Sequence, residues 1–289
     1  MQRNVRLKLL RTKSGEDRGN HSFQRGHVKS KELKSAQIKP FSAYFRPSHS
    51  LNFLTLAKEA MAEESVISLE EVDIFQQESL VLSEVNLHIK KGEFIFLIGA
   101  TGSGKSSLLK TLYGELKLRK GKGQVVGFDL KKLKSSKIPY LRRKLGIVFQ
   151  DFQLLTDRSI LENLLFVMKA TGWKDKAKIK ERINEVLESV ELPTKGFKMP
   201  HQLSGGEQQR ASIARALINH PDIILADEPT GNLDPETSAR ILNLLRKISE
   251  SGTTVIMATH DYEHMQKFDA RILRCESGKL IDSKSFSTV

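Results

Sequence analysis

The sequence predicts an α/β fold, and three neighbouring observations predict it. Phe94, Ile95, Phe96, Leu97 and Ile98 form an unbroken apolar run of strand length, as a strand buried on both faces requires. Directly after it comes Gly99-Ala100-Thr101-Gly102-Ser103-Gly104-Lys105-Ser106, a complete G-x-x-x-x-G-K-[ST] loop. Leu108, Leu109, Leu112 and Leu116 then recur at the spacing of one helical face. Strand, glycine loop and helix in that order are a phosphate site. The glycines let successive backbone N–H groups curl around phosphate oxygens, and the helix N-terminus adds partial positive charge. Lys105 is placed to reach the terminal phosphates of a nucleotide, and the Ser106 hydroxyl to hold a metal ion.

The remaining elements follow along the chain. Residues 66–72 and 82–89 alternate in hydrophobicity and read as strands. Between them Phe75 lies on a polar connection, where it either stacks on a purine or faces the core. Residues 119–137 are basic and punctuated by glycine, with no strand or helix assigned. Residues 145–150 read as a second buried strand ending in Gln150, a residue type that can touch a metal and an attacking water. A helical insertion spans about 155–205, with Asp175 as an N-cap and Ile179, Ile183, Val186, Leu187 and Val190 on one face. Ser204, Gly205 and Gly206 open a further helix with a second bare N-terminus. Residues 223–226 are a third buried strand leading to Asp227 and Glu228, a carboxylate for a divalent cation beside a candidate general base. Residues 231–234, ending in Asp234, turn into a helix around 239–248. The strand 254–258 ends at His260, and 271–275 with 279–282 close a hairpin.

Composition narrows the class. Hydrophobic residues make up 39% of 289, enough for a core. No apolar run approaches the roughly 20 residues that span a bilayer, so a soluble or peripheral protein without a membrane span is expected. The one cysteine, Cys275, excludes an internal disulfide and is expected to pack rather than react. Of the net charge of +13, residues 1–60 carry 13 Lys/Arg against 4 Asp/Glu. That leader has no helical or strand period. Three readings stand: a start placed too far upstream, with Met61 as the initiator; a disordered basic tail; or a transit peptide. The first is preferred.

Taken together, these motifs resemble the ATP-binding-cassette (ABC) ATPases over about residues 65–283, with 284–289 as a short tail. The resemblance implies a P-loop NTPase cassette with a RecA-like core, an N-terminal antiparallel β-subdomain and a helical signature subdomain. It assigns Glu228, His260 and Gln150 to catalysis and Ser106, Gln150 and Asp227 to Mg²⁺. ATP contacts fall on Phe75, Gly99, Ala100, Thr101, Gly102, Ser103, Gly104, Lys105, Ser106, Ser107, Ser204, Gly205, Gly206 and Asp234. The signature 203–208 of one cassette then covers ATP held by another, which implies a homodimer formed on ATP binding. Residues 226–234 are similar to the branch of cell-division, lipoprotein-release and macrolide-export cassettes, and 148–158 to its cell-division members. That implies an integral-membrane permease of the FtsX type as partner, and a peripheral place on the cytoplasmic face of the plasma (inner) membrane. A lipoprotein-release or efflux subunit is the alternative. The chain departs from the family pattern with Phe75 for the common Tyr, Ser107 for the common Thr, and the uncounterparted residues 1–60. A DNA-repair cassette needs a long coiled-coil insertion and a translation factor needs two cassettes; neither is present, so no nucleic acid partner is expected.

Overall fold

The computed structural model describes residues 65–260, 265 and 268–283. The leader 1–60, Met61 and the tail 284–289 lie outside the described residues. In chain order the elements are β1 (Ser65–Gln76), β2 (Ser79–Lys90), β3 (Phe94–Ile98), α1 (Lys105–Leu112), β4 (Lys120–Val125), β5 (Phe128–Asp129), α2 (Ile138–Arg143) and β6 (Leu145–Phe149). They continue with α3 (Ile160–Ala170), α4 (Lys176–Ser189), α5 (Gly205–Leu217), β7 (Ile223–Asp227), α6 (Pro235–Glu250), β8 (Thr254–Ala258), β9 (Arg271–Glu276) and β10 (Lys279–Ser283).

Six strands form a sheet in the order β10-β9-β3-β8-β7-β6, parallel throughout except for β10, which runs against β9. The apolar run of β3 explains its central place, because both of its faces are covered. Phe96 and Ile98 pack with Ile213, Ala214 and Leu245 on the helical side. Ile95 and Leu97 pack with Leu82, Leu108 and Leu112 on the other. That second side carries an antiparallel sheet in the order β2-β1-β4-β5. The expected class, α/β with an N-terminal antiparallel subdomain, is thus the observed one. Helices α3 and α4 lie between β6 and β7 in the chain. Ser159 and Glu162 close a reciprocal cap on α3, and the Asp175 carboxylate caps α4 by accepting from the Ala177 and Lys178 amides. Cys275 is buried in the core, and burial pushes its thiol up to about 11.

Two local expectations need correction. Strand β1 does not stop near residue 72 but runs through Phe75, which pairs with Leu80 in β2 rather than lying on a connection. The alternation that signals a strand is broken by register shifts, with Glu71 held at φ 50°. Strand β4 sits in the basic stretch to which no strand was assigned. Its lysines face solvent and pair across the sheet, Lys120 with Asp73 at 2.8 Å and Lys122 with Glu70 at 3.3 Å. Gly121 permits this pairing: a side chain there would begin 2.4 Å from the Glu71 carbonyl oxygen.

Candidate functional site

The parallel register puts Leu97, Ala258, Asp227 and Phe149 level across four adjacent strands, so the next residues of each emerge at one edge. The carboxyl edge of an open parallel sheet is where ligands bind in α/β folds. The loop after β3 is held there between β9 and β2. A side chain on Gly99 would begin 2.4 Å from the Cys275 carbonyl oxygen, and one on Gly104 would begin 2.8 Å from Val81. Both glycines hold positive φ, 146° and 105°. Gly104 is the N-cap of α1 and no side chain caps the helix, nor is there an acid in its first turn. The helix therefore presents bare amides and its positive end to the loop. Lys105, buried, donates to Gly99 O at 2.8 Å and Ala100 O at 3.2 Å.

Two carboxylates face this loop from the end of β7. Burial raises the Asp227 pKa against the opposing hydrogen bond from Ser106, with Glu228 adding repulsion. Glu228 sits at φ 49°, fixed by its N–H on Ala258 O at 3.0 Å. Its two oxygens diverge: Oε1 lies 4.0 Å from Lys105 Nζ, and Oε2 lies 3.2 Å from His260 Nδ1. One strained backbone turn thus aims a carboxylate between a fixed ammonium and an exposed imidazole.

The other sequence-assigned residues are placed as follows. Gln150 donates its amide to Asn232 Oδ1 at 3.2 Å, beside Gly231, where a side chain would begin 2.8 Å from Gln150 Nε2. Ser107 donates to Gln76 Oε1 at 3.3 Å, tying α1 to the strand that carries Phe75. Phe75 is half-buried beneath the Arg119 guanidinium, 5.4 Å away, which is itself paired to Glu78. Asp234 caps α6 by accepting from the Thr237 amide at 2.9 Å, a bond that lowers its pKa. Ser204 caps α5; Gly205 faces Leu233 and Phe152, and Gly206 lies under Thr237. Two groups result. The loop, Asp227, Glu228 and His260 are together, while Ser204, Gly205 and Gly206 lie with Phe152, Leu233 and the start of α6. Sequence reasoning assigns no role to Arg119 or Asn232. Their signal is only their partners, 41 or more residues away in the chain.

This donor set suits a nucleotide with a divalent cation. Among the described residues no three His, Cys, Asp or Glu side chains gather into a metal cluster. A hydroxyl from Ser106 and the half-buried Asp227 carboxylate are nonetheless hard oxygen donors, and a cation would offset the partial burial that opposes Asp227 ionisation. Ser103 Oγ is buried inside the loop, 2.5 Å from where a Gly99 side chain would begin, and has no hydrogen-bond partner among the described residues.

A family model described as ABC transporter matches residues 82–231. The chain is 41% identical over 222 residues to the cell division ATP-binding protein FtsE of Streptococcus pneumoniae, covering 76% of this chain and 96% of that one. It is 45% identical over 200 residues to FtsE of Mycobacterium tuberculosis, covering 69% and 86%. The methionine import ATP-binding protein MetN 2 of Salmonella choleraesuis is 40% identical over 203 residues, and this chain spans only 60% of its length. Among solved structures, the dimeric ATP-binding cassette MJ0796 in a post-hydrolysis state with ADP and Pi is similar at TM-score 0.65 and 35% identity, over 77% of this chain and 100% of that one.

Proposed function

The chain belongs to the ABC transporter family, and from that premise we propose that its ATPase chemistry runs at paired sites and drives an FtsX-type permease in cell division. It is an ABC-type ATPase, and FtsE-like by its relatives. In the proposed mechanism Lys105 and the bare amides of α1 hold the ATP phosphates. Mg²⁺, held by Ser106, Asp227 and Gln150, would neutralise charge on the phosphate oxygens. Glu228 accepts the proton of the attacking water. His260, whose Nδ1 lies 3.2 Å from Glu228, orients that carboxylate and turns its other ring nitrogen to a phosphate oxygen. Two chains pair head to tail, each laying Ser204, Gly205 and Gly206 over the other's nucleotide.

The observation that supports a membrane partner is a set of exposed large apolar side chains on the helical insertion. Leu161, Phe166 and Phe197 are 39%, 52% and 71% exposed. Arg158, paired to Asp157 at 2.8 Å, lies over the Phe166 ring. Exposed aromatics framed by an arginine are the composition of a protein interface. No described helix is long and apolar enough to cross a membrane, so docking to a spanning protein is the route to a membrane process. A fluorescent fusion is expected at the membrane and division site only when the permease is present, and Asp157→Lys or Arg158→Glu is expected to release it. A fusion that stays dispersed beside its permease overturns this reading. So does depletion that blocks lipoprotein release while division continues, which favours the lipoprotein-release or efflux alternative.

A further inference from the structure

Helix α5 carries a cation with no part in the chemistry above. The Arg215 guanidinium donates to the Phe152 carbonyl at 2.9 Å and to the Gln153 carbonyl. Burial pulls its pKa below the ordinary arginine value, opposed by the charge of Asp151. A half-buried guanidinium held by neutral carbonyls, with no carboxylate bonded to it, is a poor device for stability. What its planar fork supplies is geometry. The two residues it holds are ones the backbone holds badly. Phe152 and Gln153 are consecutive left-handed residues, at φ 61° and 48°, and neither is glycine. The start of the same helix is close by: the Phe152 ring tip lies 3.9 Å from where a Gly205 side chain would begin.

We propose that Arg215 is a positioning residue for ATP hydrolysis. It fixes the 151–153 turn, and with it the reach of Gln150, and ties both to the Ser204 cap. Helix α5 is 13 residues long, a rigid rod of roughly 20 Å with the cap at one end and Arg215 near the other. In the paired arrangement Gln150 attends one nucleotide, while Phe152 lies beside the glycine that faces the other. A stiff turn between them lets occupancy of either site be felt at its neighbour. This deepens the proposed function and rests on its placement of Gln150 and of the second site.

Arg215→Lys is the discriminating variant, because it keeps the charge and the alkyl stem while an ammonium cannot fork across two carbonyls. In the full-length, nucleotide-free chain, amide exchange over residues 150–155 is expected to quicken about tenfold. Exchange over 223–227 should stay as in the parent, and the melting temperature should move by no more than a few degrees. In steady state kcat should fall several-fold with KM for ATP unchanged. Unchanged exchange over 150–155, or the same acceleration over 205–217 and 223–227, overturns the positioning role. Should Arg215→Lys not fold, Phe152→Leu removes the ring beside Gly205 and leaves the guanidinium alone; it too should quicken exchange over 150–155, and no change there overturns the proposal. Gln150→Ala separates the two claims. Full turnover in that variant removes the assigned role of Gln150, and the exchange measurement still decides whether Arg215 sets the turn.

Discussion

Helices α1 and α5 both have glycine at their N-terminal ends, as the cap of one and the first residue of the other, yet these termini are finished in opposite ways. Gly104 caps α1 with no side chain, and the only charge in the first turn is the buried Lys105. Ser204 caps α5, with its hydroxyl oxygen accepting from the Glu207 amide and the Glu207 carboxylate accepting from the Ser204 amide at 2.9 Å. Lys195 lies 3.1 Å from that carboxylate. The α1 terminus is thus uncompensated and ready for an anion, while α5 carries its own negative charge against its dipole. Alone, the second is a weak anion site. Its remaining donors, the Ser204 hydroxyl hydrogen among them, have value only against a phosphate already held elsewhere. A strong site beside a weak one favours a pair that closes on ATP and opens without it.

The largest expected effect tests that closure directly. Glu228→Gln keeps the phosphate loop and the α5 cap but lacks the base, so turnover should fall about 10²–10⁴-fold while ATP binding persists. An ATP-bound dimer should then accumulate and be visible by light scattering; full turnover would break the assignment. Next come the glycines. Gly104→Ala puts a side chain at φ 105° and 2.8 Å from Val81, and should cost about 1–3 kcal/mol together with ATP affinity. Gly205→Ala meets Leu233 only at 3.2 Å, with no positive φ. It should fold and bind ATP yet fail to dimerise; equal loss of ATP binding in both would erase the distinction between the two termini.

Smaller effects belong to the cap itself. Ser204→Ala should destabilise the fold by about 1 kcal/mol, read as a fall in melting temperature. The Glu207 pKa is held below the ordinary glutamate value, first by the Ser204 amide and then by Lys195. A carboxylate depressed on folding stabilises above its unfolded pKa and loses that contribution as pH falls through the folded one. The melting-temperature gap between parent and Glu207→Gln should therefore be open near pH 6 and close below about pH 4. A gap independent of pH would mean that Glu207 acts there by packing alone.

What was legible in the sequence was local. The strands of the parallel sheet announce themselves because burial on both faces demands continuous apolar residues, as in β3 and β7. The phosphate loop is a contiguous string with its own flanks. Strand β4 was not legible because its lysines are stabilised by acids on β1, about 50 residues earlier, and its glycine by a bulge in that strand. Asn232 and Arg215 were silent for the same reason: each acts on a segment more than 60 residues away, Gln150 in one case and the 152–153 turn in the other. Residues of this kind carry no pattern until the fold brings their partners to them.

Cys275 has a practical consequence for probing all of this. It lies 2% exposed under the phosphate loop, with its thiol raised to about 11, in a chain with no other cysteine. At neutral pH its thiolate fraction is minute and the sulfur is out of reach of reagents. A cysteine introduced at an exposed position such as Phe197 can therefore take a spectroscopic label without removal of the native one. Slow modification of Cys275 itself becomes a clock for the opening of β9, and ATP bound to the loop above it should slow that clock.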